Sequence, residues 1–269
     1  MELYLILGYV GAVLIGLVLG LIGGGGSILA LPILVYLFGI HPVTATAYSL
    51  FIVGTAALVG TVKNLGQNLI DLKTGIFFAL PAITAVYLTR RYLVPDLPDP
   101  LLSTDSWELS KSMGLMILFA IIMVFTSISM IKDPSDKLEL NGPSKRQYNS
   151  LIILLEGFLV GVLTGIVGAG GGFLIIPALV LLAKLPMKKA VATSLLIIAV
   201  KSLIGFIGDI QVLDIEWAFL SFFALLSIIG IFVGVYLNRI VSGQKLKKGF
   251  GWFILIMALV ILVREGLHL

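Results

Sequence analysis

The stretch GLIGGGGSILALP, residues 20–32, places four consecutive glycines inside a run that is otherwise as apolar as a membrane span. A glycine in a helix interior costs about 1 kcal/mol relative to alanine, so four together predict a break in the helix. Irregular backbone at membrane depth is tolerated only where it is buried in protein or lines a cavity. The stretch therefore predicts a helix that stops at the glycines, followed by a shorter helix of about 12 residues that ends near His41.

The composition of the whole chain is that of a membrane protein. Of its 269 residues, 59% are hydrophobic and only 12% are charged, and the mean hydropathy is +1.14. These values predict an all-α polytopic membrane protein with about 8–10 hydrophobic segments, including broken or short helices after each glycine cluster. The net charge of +4 is explained by basic cytoplasmic loops and indicates no nucleic-acid partner. The chain has no cysteine, which excludes disulfides, thiolate metal sites and cysteine nucleophiles.

A second copy of the glycine stretch lies 145 positions further on, as GIVGAGGGFLIIP at residues 165–177. The match continues without a gap, because residues 45–60 correspond to residues 190–205. Matched glycine and proline positions over such a length indicate a duplication. The sequence thus predicts a first transmembrane repeat at 1–132, a polar linker at 133–149 and a second transmembrane repeat at 150–269.

The charges of the loops predict how the two repeats are oriented. The segments 184–189 and 239–248 are basic, whereas the loop at 208–216 is acidic. The positive-inside rule then places the first two segments and the linker in the cytoplasm. Counting back, the loop at 90–111 falls outside, although it begins with two arginines. Equivalent loops take opposite sides, which predicts inverted repeats with an odd number of crossings in each half.

Paired helix breaks at matching positions of two repeats are typical of a transporter's substrate site. A helix N-terminus presents unpaired N–H groups and a partial positive charge, and glycines let an anion approach the backbone closely. We therefore expect the breaks to bind a small anion near the midplane, with a Ser27 hydroxyl beside them. The alternative is that the glycines serve only close helix packing. The glycines of this expected site are Gly23, Gly24, Gly25, Gly26, Gly168, Gly170, Gly171 and Gly172.

Hydroxyl groups and one lysine extend the expected site. Ser49 and Ser194 occupy equivalent positions in the two repeats, and Thr193 precedes the second serine. These hydroxyls either complete the hydrogen bonds of an oxyanion or bond back to their own helices. Lys201 lies well inside a span and is either an attractor for a negative substrate or a lysine that snorkels to the surface.

Acidic residues and histidines are expected at helix ends or in loops, with Asp209 among them. Cation transporters and proton relays usually use buried acids, and metal sites need clustered His and acid ligands. The polar residues therefore favour an anionic substrate, with no metal and no cofactor.

The repeated glycine break followed by proline, and then by helices carrying TATAYSLF (44–51) and KAVATSLL (189–196), resembles the sulfite exporter TauE/SafE family, also called TSUP. The resemblance covers nearly the whole chain. It implies a multi-pass inner-membrane protein that moves sulfur-containing or carboxylate anions such as sulfite and organosulfonates. The first copy departs from the motif, since Ser27 stands where the second copy has Gly172.

The sequence as a whole predicts a permease or exporter of a small anion rather than an enzyme. A passive anion channel is the first alternative, and a membrane-embedded enzyme is disfavoured because no nucleophile–base–acid set is apparent. The expected partners are the small anionic substrate and the lipid bilayer. The sequence leaves open whether the protein is a homo-oligomer.

Overall fold

The computed structural model describes residues 2–104, 107–132, 150–167, 172–183 and 185–266. Helices α1 to α11 are, in chain order, Glu2–Ile22, Gly25–Tyr36, Pro42–Leu65, Leu72–Leu88, Val94–Asp96, Lys111–Lys132, Ser150–Val167, Gly172–Pro177, Met187–Ile210, Trp217–Ile240 and Gly243–Gly266. Two π-helical segments, Thr89–Leu93 and Ala178–Leu182, continue α4 and α8. A short antiparallel pair, β1 (Leu102–Thr104) and β2 (Trp107–Leu109), precedes α6.

The predicted class, a helical polytopic membrane protein, is confirmed. Seven helices of the described chain are long and apolar enough to cross a membrane, and Gly25–Tyr36 and Ile153–Val167 are shorter apolar helices. The first glycine cluster ends α1 and begins α2, which has the expected 12 residues. The polar linker at 133–149 lies outside the described residues, so the repeat boundaries stay a prediction.

Helix α2 folds back along α1 instead of continuing its direction. A side chain at Gly11 would meet Ile33, and one at Gly26 would meet Leu19. Early residues of α1 therefore pair with late residues of α2, as in an antiparallel hairpin. Gly23 makes the turn with φ +85°, a conformation that side chains disfavour. The long apolar stretch of the N-terminus is thus a helical hairpin whose tip is the glycine cluster.

The interpretation of residues 90–111 as a loop is wrong at its start. Helix α4 continues through the π-helical segment into α5, so that one helical span runs from Leu72 to Asp96. Arg90 belongs to this span and is 1% exposed. A buried charged partner, described below, lets the guanidinium remain inside the helix bundle.

The first helix of each half packs against a helix of the other half. Helix α1 contacts α10, and α7 contacts α4. The contact of α1 with α10 is close enough that a side chain at Gly16 or Gly20 would meet the α10 backbone. Side chains at Gly230 and Gly234 of α10 would likewise meet the backbone of α1. Small residues of this kind bring membrane helices into backbone contact, and here they join the two halves.

Helices α3 and α9, which are equivalent in the two repeats, run antiparallel. A side chain at Gly60 would lie 3.2 Å from Leu195, and one at Gly205 would lie 3.6 Å from Leu50. The end of α3 is therefore beside the start of α9, and the reverse. Antiparallel equivalent helices are the arrangement that an inverted repeat predicts, whereas repeats related by an axis along the membrane normal would place them parallel.

Two hydrogen bonds between the halves are related by the repeat. The Asp71 N–H donates to Thr193 Oγ1 at 2.9 Å, and the Glu216 N–H donates to the Tyr48 hydroxyl at 2.8 Å. The shift of 145 positions maps one bond onto the other. Each bond fixes the loop that follows the long helix of one half to the start of the long helix of the other half.

We expect Tyr48→Phe and Thr193→Val each to destabilise the protein by about 1–2 kcal/mol, because each leaves a backbone N–H without its acceptor. Thermal unfolding in detergent measures the change. Since the two bonds lie at opposite ends of α3 and α9, the double variant should show the sum of the two effects. An unchanged melting temperature for both single variants would contradict the assignment of these bonds as links between the halves.

Candidate functional site

The tip of the first hairpin meets the start of α8, and this contact is the centre of the candidate site. Gly24 and Gly172 are so close that a side chain on either would meet the backbone of the other. Both residues are buried. Two of the predicted site glycines, one from each repeat, are thus brought together. There is no room for a solute between these two residues.

The start of α2 is a buried helix N-terminus without a side-chain cap. Gly24 precedes the helix and has no side chain, and no side-chain cap bonds to the first turn among the described residues. Gly25, Gly26 and Ser27 form this turn and are all buried. The unpaired N–H groups and the helix dipole give the hairpin tip a partial positive charge.

Ser27 does not direct its hydroxyl proton outward. Its Oγ donates to the Gly24 carbonyl oxygen at 2.7 Å, across the start of α2. This bond fixes the turn between the glycines and α2, which is the local back-bonding that serines commonly make. The serine therefore supports the glycine break from within.

One face of α9 lines the contact between the two repeats. The Ser194 Oγ donates to Val191 O at 2.8 Å and lies 3.4 Å from Gly23 O. One turn further along α9, Ile198 packs against Gly172, since a side chain at Gly172 would lie 2.6 Å from its Cδ1. Lys201 follows at the next position on this face, because residues spaced by three or four share one side of a helix. The glycine contact, Ser194 and Lys201 thus lie along one seam.

Lys201 lies deep inside the protein and does not snorkel to the surface. Its side chain is 0% exposed, and its Nζ donates to Thr164 Oγ1 at 2.9 Å. Thr164 lies in the last turn of α7, immediately before the second glycine cluster. Among the described residues, no carboxylate forms an ion pair with this lysine. A completely buried lysine whose bonded partner is a neutral hydroxyl is an unusual arrangement in a membrane protein.

The remaining predicted residues take other positions. Thr193 faces away from the seam and accepts the hydrogen bond from Asp71. Ser49 is buried, and its Oγ has no partner within the described part of the chain. Gly168, Gly170 and Gly171 lie outside the described residues, and their part in the site stays a prediction.

A buried ion pair that was not expected from the sequence lies near the other end of α9. Asp209 lies in the last turn of α9, at a helix end as the sequence predicts, and it is only 4% exposed. Arg90 binds its carboxylate with the Nε and Nη2 groups at 2.8–3.0 Å. Arg90 Nη1 also donates to Thr46 Oγ1 at 2.9 Å and to Gly165 O at 3.4 Å. The two charges compensate each other, which explains why both tolerate burial.

A signal for this pair is present in the sequence. Arg90 and Arg91 violate the positive-inside rule if the loop at 90–111 lies outside. An arginine that violates the rule is a candidate for burial beside an acidic partner. The partner itself lies 119 residues away in the other repeat. Local periodicity contains no information on a contact at that separation.

Metal binding has no support in the described residues, since these contain no group of three or more His, Asp or Glu side chains arranged to hold an ion. The seam instead combines uncapped amides, hydroxyls and a buried lysine amine between the two halves of the chain. This architecture is that of a multi-pass membrane protein with an interior polar site.

Comparison with known proteins identifies the family. The model of the sulfite exporter TauE/SafE family matches residues 9–261, and the chain belongs to this family. A probable membrane transporter protein of Xylella fastidiosa is 26% identical over 260 residues, covering 94% of this chain and 92% of its own length. The probable membrane transporter protein YunE of Bacillus subtilis is 25% identical, covering 95% and 97% of the two chains. No solved structure matches this chain significantly. The protein is thus a membrane transporter, and the predicted family is confirmed.

We expect Gly24→Ala to destabilise the protein by about 1–3 kcal/mol, because the added methyl group meets the Gly172 backbone and forces the two repeats apart. The φ of −136° at Gly24 is open to alanine, so the effect arises from this contact and not from backbone strain.

Gly66→Ala is the matched control for thermal unfolding. Gly66 follows α3 with φ −72°, and nothing lies within 4 Å of a side chain placed there. Equal melting temperatures for the two variants would show that the contact between Gly24 and Gly172 contributes nothing to the fold.

Proposed function

We propose that the protein is a secondary transporter that moves a small anion across the membrane by alternating access. The substrate class is a sulfur oxyanion such as sulfite, or an organosulfonate. The observation that carries this proposal is the completely buried Lys201, whose bonded partner is the neutral hydroxyl of Thr164. A lysine amine in a medium of low dielectric takes up its positive charge at much lower cost when an anion compensates it, so such a site favours anions.

The amides of the hairpin tip provide the second part of the binding site. A helix N-terminus binds oxyanions through several N–H groups at once, and glycines leave the approach open. The start of α2 offers such groups beside the Gly24–Gly172 contact. Lys201 lies about 4.5 Å further along α9 than Ile198, which touches this contact. We expect an anion beside the glycines to accept hydrogen bonds from these amides and from the Lys201 amine.

Alternating access follows from the way in which the halves are joined. Helices α3 and α9 cross antiparallel, and the two bonds of Asp71 and Glu216 link equivalent positions at the opposite ends of these helices. If the repeats are inverted, a small rotation opens one end of this interface and closes the other, with the binding site in between. The hairpin of α1 and α2 then enters and leaves the membrane on the same side. The first half therefore crosses the membrane three times, with α3, with the continuous span of α4 and α5, and with α6.

The family description supports sulfite as the substrate to test first. Purified protein in proteoliposomes is tested for counterflow of labelled sulfite and of labelled sulfoacetate, a sulfonate. Saturable counterflow is the expected result. Ohmic conductance would instead indicate a passive channel, and product formation without transport would indicate an enzyme. Either of these outcomes would contradict the proposal.

We expect Lys201→Met to weaken anion binding by at least about tenfold, which corresponds to about 1.4 kcal/mol. Methionine has similar volume and no charge, so it removes the attraction while filling the same space. The same variant should unfold at a higher temperature than the wild type, because an uncompensated buried charge is removed. Isothermal titration with sulfite and thermal unfolding without it measure the two effects.

Lys63→Met is the control, since it removes the same charge from an exposed position of α3. It should leave both the affinity and the stability close to those of the wild type. Unaltered sulfite affinity in Lys201→Met would reduce Lys201 to a packing residue.

A further inference from the structure

The buried pair of Arg90 and Asp209 has a geometry that goes beyond a simple contact. Three N–H···O bonds of 2.8–3.0 Å join the guanidinium to the carboxylate, and each side chain comes from a different repeat. Removing two charges from water is expensive, and apolar packing of similar volume is often equally stable or better. An ionic contact at this depth therefore needs a reason other than stability.

The repeat provides an internal test of whether the fold requires this pair. At the position equivalent to Asp209, the first repeat has Asn64, whose amide donates to Gly60 O in its own helix. The motif VYLTRR at 86–91 is echoed by VYLNRI at 235–240, so that Arg239 corresponds to Arg90, and Arg239 is exposed. The equivalent helices α3 and α10 thus pack at the other end of the molecule without an ion pair among the described residues. The pair is specific to one end, and this asymmetry points to function.

The pair also links the seam to one end of the interface between the repeats. Arg90 bonds to Thr46 at the start of α3 and to Gly165 in the last turn of α7. Gly165 adjoins Thr164, which accepts the hydrogen bond of Lys201. The start of α3 and the end of α7, which belong to different repeats, therefore both bond to one guanidinium. The repeats separate at this end only if the ion pair of Arg90 and Asp209 opens.

The charged groups around Asp209 are few. Arg90, in the π-helical segment that continues α4, is the charged residue bonded to it in the described structure, and α3 and α7 face the pair with the Thr46 hydroxyl and the Gly165 carbonyl. On α9 itself the nearest charged side chain is Lys201, two turns away.

We propose that Asp209 is the proton-coupling carboxylate of the transporter and that Arg90 is the positioning residue that holds it. Asp209 takes up a proton from the adjacent aqueous phase when the pair opens, and Arg90 stays protonated and becomes free to pair with the anion. The proton leaves to the opposite phase when the anion has been released and the pair forms again. One proton then crosses in the same direction as each anion. This inference rests on the proposed anion transport.

The test uses the full chain in proteoliposomes with labelled sulfoacetate, whose charge is constant near neutral pH. Two activities are measured: counterflow, which exchanges anion for anion, and accumulation driven by a pH gradient. For Asp209→Asn we expect loss of accumulation down to the level seen without a gradient, with counterflow retained. Exchange needs no net proton movement, whereas accumulation does.

Asn64→Ala is the matched control, because it alters the equivalent buried position of the other repeat without removing a charge; both activities should persist. Equal loss of both activities in Asp209→Asn would make the pair structural, and unchanged accumulation would exclude coupling at this residue. If Asp209→Asn does not fold, Asp209→Glu, which keeps a titratable carboxylate opposite Arg90, is tested with a pH indicator inside the vesicles. Anion uptake should acidify the lumen, as in the wild type, and uptake without acidification would overturn the proposal. Absence of counterflow in the wild type would remove the proposed function itself, and the coupling with it.

Discussion

The structure depends on one constraint, which is that interrupted backbone inside a membrane has to be enclosed by protein. The chain turns at Gly23 and Gly24 between two apolar helices, and the groups freed by this turn are covered by α9 and by the start of α8. The glycines meet this requirement in two ways. They break the helix, and they also allow the close contact with Gly172 that buries the break. Close packing and an anion site, the two alternatives for these glycines, are therefore not exclusive.

Charge placement follows from the same enclosure. Once the turn is buried, polar side chains next to it are removed from water, and their number has to be small. The described residues place Lys201 beside the break and the Arg90–Asp209 pair beyond it, all connected through the last turn of α7.

Part of this arrangement is predictable from the sequence, and the rest depends on contacts that local sequence patterns do not contain. The break and the 12-residue helix after it follow from glycine propensity and helix length. The fold-back of α2 does not, because a run of apolar residues has the same hydropathy in a hairpin as in a span. The sequence predicts Thr193 in the site because it precedes Ser194, but adjacent residues of a helix face different directions. The contact of Arg90 with Asp209 depends on how two repeats dock, which no local pattern encodes.

The interleaving of the halves makes each half depend on the other. Helix α1 packs against the glycine-lined face of α10, and α7 packs against α4. Either half alone would leave such a face uncovered in lipid, so each half completes the helix packing of the other within the membrane.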